Sequence, residues 1–134
     1  MKRKLIRFIA MLGILLPGLA SSAVTEEDFK VKTTRDLINL CTASPQDEHY
    51  KEAIHFCHGY LVGAYQYSIA ESANDPKKAL FCSTEPKPSR NQTIAMFVAW
   101  ALEHPQFMTE MPVETEFRFL TEKWPCKSSN TGGM

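Results

Sequence analysis

The chain has 134 residues, of which 15 are basic and 15 acidic. It therefore lacks the strong positive net charge that most nucleic-acid-binding domains carry. Its length suits one domain with one modest hydrophobic core. The sequence patterns of nucleophile elbows, zinc hydrolases and phosphate-binding loops do not occur, so the motifs predict neither an enzyme nor a cofactor.

The N-terminus is predicted to be a cleaved secretory signal peptide, residues 1–23. Four basic residues lie within the first seven positions, and the apolar run that ends at Leu19 is too short to span a membrane. Ser21 and Ala23 are the small residues expected before a cleavage site. Cleavage would remove four basic and no acidic residues and leave a mildly acidic mature protein. We therefore expect a periplasmic location, with neither a membrane nor nucleic acid as partner.

The mature part is predicted to be all-α, a bundle of four to five helices within residues 33–126. A mobile segment, 24–32, should precede the bundle, and a disordered tail, 127–134, should follow it. The helices are expected from Thr33 or Thr34 to just before Ser44, from about Tyr50 (or already from Ser44) to Ser72, from Ser89 to Glu103, and from Pro112 to Trp124.

Capping residues support two of the helix starts. Ser89 and Gln92 have the spacing of a capping box. Thr109 is placed to cap the fourth helix, with Pro112, Glu114 and Glu116 suited to its first turn. The predicted apolar stripes are Ile54, Cys57, Leu61, Ala64, Tyr65, Ser68 and Ile69 in the second helix, and Val113, Phe117, Leu120 and Trp124 in the fourth.

The four cysteines, an even number in a small exported domain, predict two disulfides. Helices joined by short connections pack as antiparallel neighbours, which places Cys41 near Cys57 at one end of the bundle and Cys82 near Cys126 at the other. The first pair requires a break between Asp47 and Tyr50. Without it, a helix that is regular from Pro45 would put Cys57 about 18 Å along its axis, too far from Cys41 for a bond.

Two features predict a homodimer. The third helix carries an unbroken apolar run from Ile94 to Leu102, including Trp100, which is more than its neighbours in a small domain can cover. In the second helix, Gly59 and Gly63 form a flat strip against which another backbone can pack, either within the chain or from a second copy. A ligand pocket at this strip is the alternative interpretation.

The histidines allow a metal site as a further alternative. His49, His55 and His58 lie close together in the sequence near Cys57, and zinc sites use both residue types. No CxxC pair accompanies them, and disulfide formation would remove the thiolates. Ordinary, partly exposed histidines are therefore favoured over metal ligands.

Five elements occur together in a fixed order: Asp36-Leu37 to Cys41, Phe56-Cys57-x-Gly59-Tyr60-x-x-Gly63, Phe81-Cys82, Glu103-His104-Pro105, and Trp124-Pro125-Cys126. This combination, which extends from Thr33 to Cys126, resembles the type VI secretion immunity family of the Rap/Tai type. One departure is that the usual Cys-Xaa-Pro after the third cysteine is extended here to Cys82-Ser-Thr-Glu-Pro86.

The resemblance implies a periplasmic helical dimer that binds a toxic peptidoglycan amidase and plugs its catalytic cleft. Because partner contacts usually lie on loops of a rigid scaffold, the segment between the third and fourth helices is the predicted contact site. Its candidate residues are Glu103, His104, Gln106, Phe107, Met108, Glu110 and Met111. Folding of the apolar members onto the core is the competing interpretation, and a small periplasmic chaperone or stress protein is the alternative function.

Overall fold

The computed structural model describes residues 23–82 and 85–126, so the predicted tail and all but the last residue of the predicted signal peptide lie outside it. The described part contains four α-helices and no strand, which confirms the all-α class. The helices are α1 (Thr34–Cys41), α2 (Tyr50–Ala73), α3 (Arg90–Glu103) and α4 (Pro112–Lys123), and single 3₁₀ turns lie at Asp28–Lys30, Pro76–Lys78 and Pro105–Phe107. In these residues, no helix combines the length and the apolar character that a bilayer crossing requires.

The helix starts follow from local side-chain chemistry. Thr33 and Asp36 form a capping box at α1, and Ser89 and Gln92 form the predicted one at α3. At α4 the prediction of a Thr109 cap is wrong, because the N-cap is Met111, whose side chain makes no capping hydrogen bond. Pro112 supplies the fixed backbone angle at the first helical position instead.

The core forms where all four helices meet. Leu37 and Leu40 of α1 and Cys57 of α2 are fully buried, and Phe97 of α3 and Leu120 of α4 pack with them. Removing such apolar surface from water is the main force that holds a domain of this size together.

The predicted apolar stripes are partly corrected by the packing. Ile69 of α2 was predicted to be buried but is 46% exposed, whereas Ser68, which belongs to the same predicted stripe, is buried. In α4 the buried face includes Thr115, Glu116 and Phe119, whereas the predicted Phe117 is half-buried. Thr115 and Glu116 were missed because a prediction from the spacing of apolar residues assigns polar side chains to solvent.

Both predicted disulfides are confirmed. Cys41 bonds to Cys57 with a Cα–Cα distance of 5.2 Å, and Cys82 bonds to Cys126 with a Cα–Cα distance of 4.7 Å. The required break is also present. Residues 44–49 form turns in which the Tyr50 N–H donates to the Asp47 carbonyl oxygen, and α2 starts only at Tyr50.

Residues 24–31, which we call the N-terminal clasp, pack against α1 and the start of α2. Val24 is buried, and its N–H donates to Oδ2 of Asp47 at 2.8 Å. Asp28, also buried, accepts a hydrogen bond from Nδ2 of Asn39 in α1 at 2.8 Å. These contacts attach the segment for which the sequence predicted mobility to the helical domain.

Candidate functional site

The connection between α3 and α4, residues 104–111, is held in place by the N-terminus of α1. The first N–H groups of a helix have no partner within it. Here the Thr34 N–H donates to the carbonyl oxygen of Glu110 at 2.8 Å, and the Arg35 N–H donates to that of Met108 at 3.0 Å. The loop thus supplies acceptors that α1 lacks, and α1 fixes the path of the loop.

A buried pair of hydroxyl groups strengthens this junction. Thr34 and Thr115 are both 0% exposed, and their Oγ1 atoms lie 2.7 Å apart. Met108, at the centre of the loop, is 5% exposed and belongs to the core. Its side chain therefore packs into the core and holds the loop there, and it is not part of the exposed contact surface predicted from the sequence.

Three rings form what we call the aromatic stack: Trp100, His104 and Phe107. The ring centroids of Trp100 and His104 lie 4.1 Å apart, and those of Trp100 and Phe107 lie 5.6 Å apart, with nearly parallel planes. Nδ1 of His104 lies 2.6 Å from the carbonyl oxygen of Trp100. Because a carbonyl oxygen only accepts, Nδ1 carries the proton, and Nε2 is left for a partner.

Charged side chains surround the stack and restrict its rings. The guanidinium of Arg118 lies over the ring of Phe107, 5.0 Å from its centroid, and donates to both carboxylate oxygens of Glu110 at 2.9 and 3.3 Å. Nε1 of Trp100 donates to Oε1 of Glu122 in α4 at 3.2 Å. The stack is therefore a preformed, half-exposed platform with a defined set of donors and acceptors.

The remaining predicted contact residues lie around this platform. Glu103 and Gln106 are exposed, and Met111 is 55% exposed. A shallow groove along the platform is lined by Leu80, Trp100, Phe107, Glu114, Phe117, Arg118, Thr121 and Glu122. Such a combination of aromatic and arginine side chains, contributed by α3, the loop and α4, is suited to binding another protein.

The residues predicted for helix packing or a dimer, Gly59, Gly63 and Trp100, do not lie together in the structure. A Cβ atom added at Gly59 or Gly63 would meet no atom within 4 Å, so no described part of the chain packs against this strip. Trp100, which the sequence assigned to helix packing or a dimer, belongs to the aromatic stack. No group of three or more His, Cys, Asp or Glu side chains among the described residues is arranged to hold a metal ion.

Sequence reasoning missed the residues that shape this surface from other elements. Arg118, Glu122 and Leu80 come from α4 and from the connection before α3, and only the fold brings them to the loop. One signal was present: Trp100, His104 and Phe107 have i, i+4, i+7 spacing, which continues the period of α3 past its end at Glu103.

Residues 33–126 match the family model of the Rap1a immunity proteins. This range contains all four helices and both disulfides. The chain matches no curated protein and no solved structure.

Proposed function

The chain belongs to the Rap1a immunity protein family, a type VI secretion immunity family, and we propose that it binds and inhibits a peptidoglycan amidase effector in the periplasm. Inhibition is by binding alone and involves no catalytic step. The predicted signal peptide and the two disulfides support the periplasmic location, because disulfides persist in oxidising compartments.

The observation that carries the proposal is the rigidity of the loop that bears the aromatic stack. A loop held by backbone hydrogen bonds to α1 loses little conformational freedom when it binds, so more of its contact energy becomes affinity. Trp100, Phe107 and Arg118 are of the residue types that contribute most at protein interfaces. In this proposal, the loop occupies the catalytic cleft of the amidase.

The binding test uses Phe107→Ala together with an exposed loop variant, Met111→Asp. We expect each to weaken binding to a cognate amidase effector about 30-fold or more, which corresponds to about 2 kcal/mol, measured by titration calorimetry. The control is Ile69→Ala, which removes an exposed apolar side chain of α2 outside the loop and away from the Gly59 and Gly63 face, and which should leave the affinity unchanged.

Circular dichroism of each variant checks that the helices are intact. If both loop variants keep their fold and bind as tightly as the wild type, the contact surface lies elsewhere. Capture of many unrelated periplasmic proteins in place of one hydrolase would favour the chaperone alternative.

We further propose a homodimer built on the exposed face of α2. Gly59 and Gly63 lie open on this face, between the exposed rings of Phe56 and Tyr67. A second copy can therefore pack there without covering the aromatic stack. Gly63→Leu should shift the mass in analytical ultracentrifugation from dimer to monomer, whereas Ala99→Leu on the exposed side of α3 should not. The reverse result would assign the interface to α3.

A further inference from the structure

A second site lies within the bundle, away from the loop. Between α2, α3 and α4 there is a partly open cavity of about 270 Å³, and none of the three residues of the aromatic stack lines it. Its walls are mainly apolar and include Phe81, Phe97, Phe119 and Trp124. A cavity of about 150 Å³ is enough to bind benzene, so this one has room for a ring with a short chain.

One polar side chain in this cavity has no hydrogen-bond partner. Glu116 of α4 lines the cavity and is 4% exposed, and its Oε2 atom is buried without a partner among the described residues. Buried polar groups are nearly always hydrogen-bonded, and one without a partner costs about 1–3 kcal/mol. The carboxyl group is therefore a candidate for recognition by a bound molecule.

The surroundings of Glu116 favour an uncharged ligand. Burial raises the pKa of its carboxyl group to about 8, so at neutral pH this group is mostly protonated and can both donate and accept a hydrogen bond. The charged residues that line the same cavity are Lys87 and Arg90, which disfavour the entry of an ammonium group. From α2, Tyr65 and Gln66 line the cavity and Tyr60 lies near Glu116, where burial raises the pKa of the Tyr60 hydroxyl, so that it is neutral at this pH.

We propose that this cavity binds a small, uncharged molecule with an apolar body and one terminal hydroxyl group, which hydrogen-bonds with the carboxyl group of Glu116. The aromatic walls hold the apolar body, and the carboxyl group supplies the one polar contact deep in the site. This division of roles, with many apolar contacts and one or two fixed polar ones, is typical of small-molecule sites. The proposal does not depend on the identity of the protein partner.

Three probes of matched size test the proposal: 3-phenyl-1-propanol, butylbenzene and 3-phenylpropylamine. Binding is followed at pH 6.5 by the fluorescence of Trp124 in a Trp100→Phe background, since the chain has two tryptophans and only Trp124 lines the cavity. We expect saturable binding of the alcohol, about tenfold tighter than that of the hydrocarbon or the amine. Absence of saturable binding, or a preference for the amine or the hydrocarbon, would overturn the proposal.

Variants of Glu116 then assign the polar contact. Glu116→Leu should reduce the preference for the alcohol over the hydrocarbon to about twofold or less, and Glu116→Gln should retain most of it, because an amide also donates and accepts. The control is Glu114→Leu, the same exchange at an exposed residue of α4 outside the cavity. An unchanged preference in Glu116→Leu would refute the assignment. If Glu116→Leu does not fold, the order of affinities of the three probes for the wild type and for Glu116→Gln still tests the proposal.

Discussion

Asp28 in the N-terminal clasp and Glu116 in α4 are two carboxyl groups with nearly the same burial, 6% and 4% exposed, and opposite surroundings. Asp28 accepts hydrogen bonds from the side chain of Asn39 and from both the N–H and the hydroxyl of Thr25, all at 2.7–2.8 Å. Glu116 accepts none from the described residues at its Oε2 atom. The two sites differ in hydrogen bonding and also in depth, because the carboxyl group of Glu116 is surrounded by far more of the protein than that of Asp28.

The two pKa values show which effect dominates in each place. At Asp28 burial raises the pKa, but the hydrogen bonds from Asn39 and Thr25 together outweigh it, and the pKa lies below its ordinary value. At Glu116 burial acts without compensation and raises the pKa from 4.5 to about 8. Burial alone therefore does not decide whether a carboxyl group is charged. The depth of the group and the number of donors that face it decide this together.

The two groups make stability depend on pH in opposite directions. Between about pH 4.5 and 8, native Glu116 holds a proton that the unfolded chain has released, so stability falls as the pH rises through this range. Asp28 stabilises the fold above the pKa it has when unfolded, and this contribution is lost as the pH falls through its lowered native pKa.

The largest effect is expected for Glu116→Gln, because glutamine does not titrate and so removes the pH dependence that Glu116 gives to the free energy of unfolding. Denaturant unfolding at pH 5 and at pH 8.5 should show that the wild type loses up to about 4 kcal/mol between these values through this group, and the variant much less. Glu114→Gln, at an exposed position of the same helix, should behave like the wild type. A wild-type stability that does not fall between pH 5 and pH 8.5, measured against this control, would contradict the role assigned to Glu116.

A smaller effect is expected at Asp28, where removing the carboxylate leaves three donors without an acceptor. Asp28→Ala should lower the free energy of unfolding at pH 7 by about 1–3 kcal/mol, and Asn39→Ala, which leaves the two Thr25 donors paired, by about 1 kcal/mol. Both losses should shrink toward pH 3 and below, as the carboxylate of the wild type becomes protonated. If the two losses in the free energy of unfolding are the same in acid as at pH 7, the hydrogen bonds do not depend on the charge of Asp28.

The same contrast explains how much of the fold the sequence predicted. The capping box at Ser89 and Gln92 and the two disulfide pairs were predictable, because each depends on local chemistry or on simple antiparallel topology. The burial of Glu116 was not, since a glutamate near a helix start is ordinarily solvated and favourable to the helix dipole. Only the packing of α2 and α3 against α4 encloses it.

The candidate site, too, was predicted only in part from the sequence. The segment and its aromatic residues followed from composition and position, but the sequence could not tell which side chains turn inward. Met108 packs into the core, whereas Phe107, its neighbour, lies half-exposed on Trp100. Which of the two turns inward depends on the hydrogen bonds from α1, whose residues are more than 70 positions away in the chain.

The bonds from Thr34 and Arg35 to the loop also mean that the candidate surface is completed only when both halves of the chain are present. During synthesis α1 leaves the ribosome long before Met108 and Glu110, so its first N–H groups have only water as partner until the C-terminal half arrives. A chain that ends before this half lacks the loop and the aromatic stack, and the loop synthesised as an isolated peptide lacks the helix that holds it. Only a folded copy that contains both α1 and the loop can therefore present the aromatic stack in this arrangement.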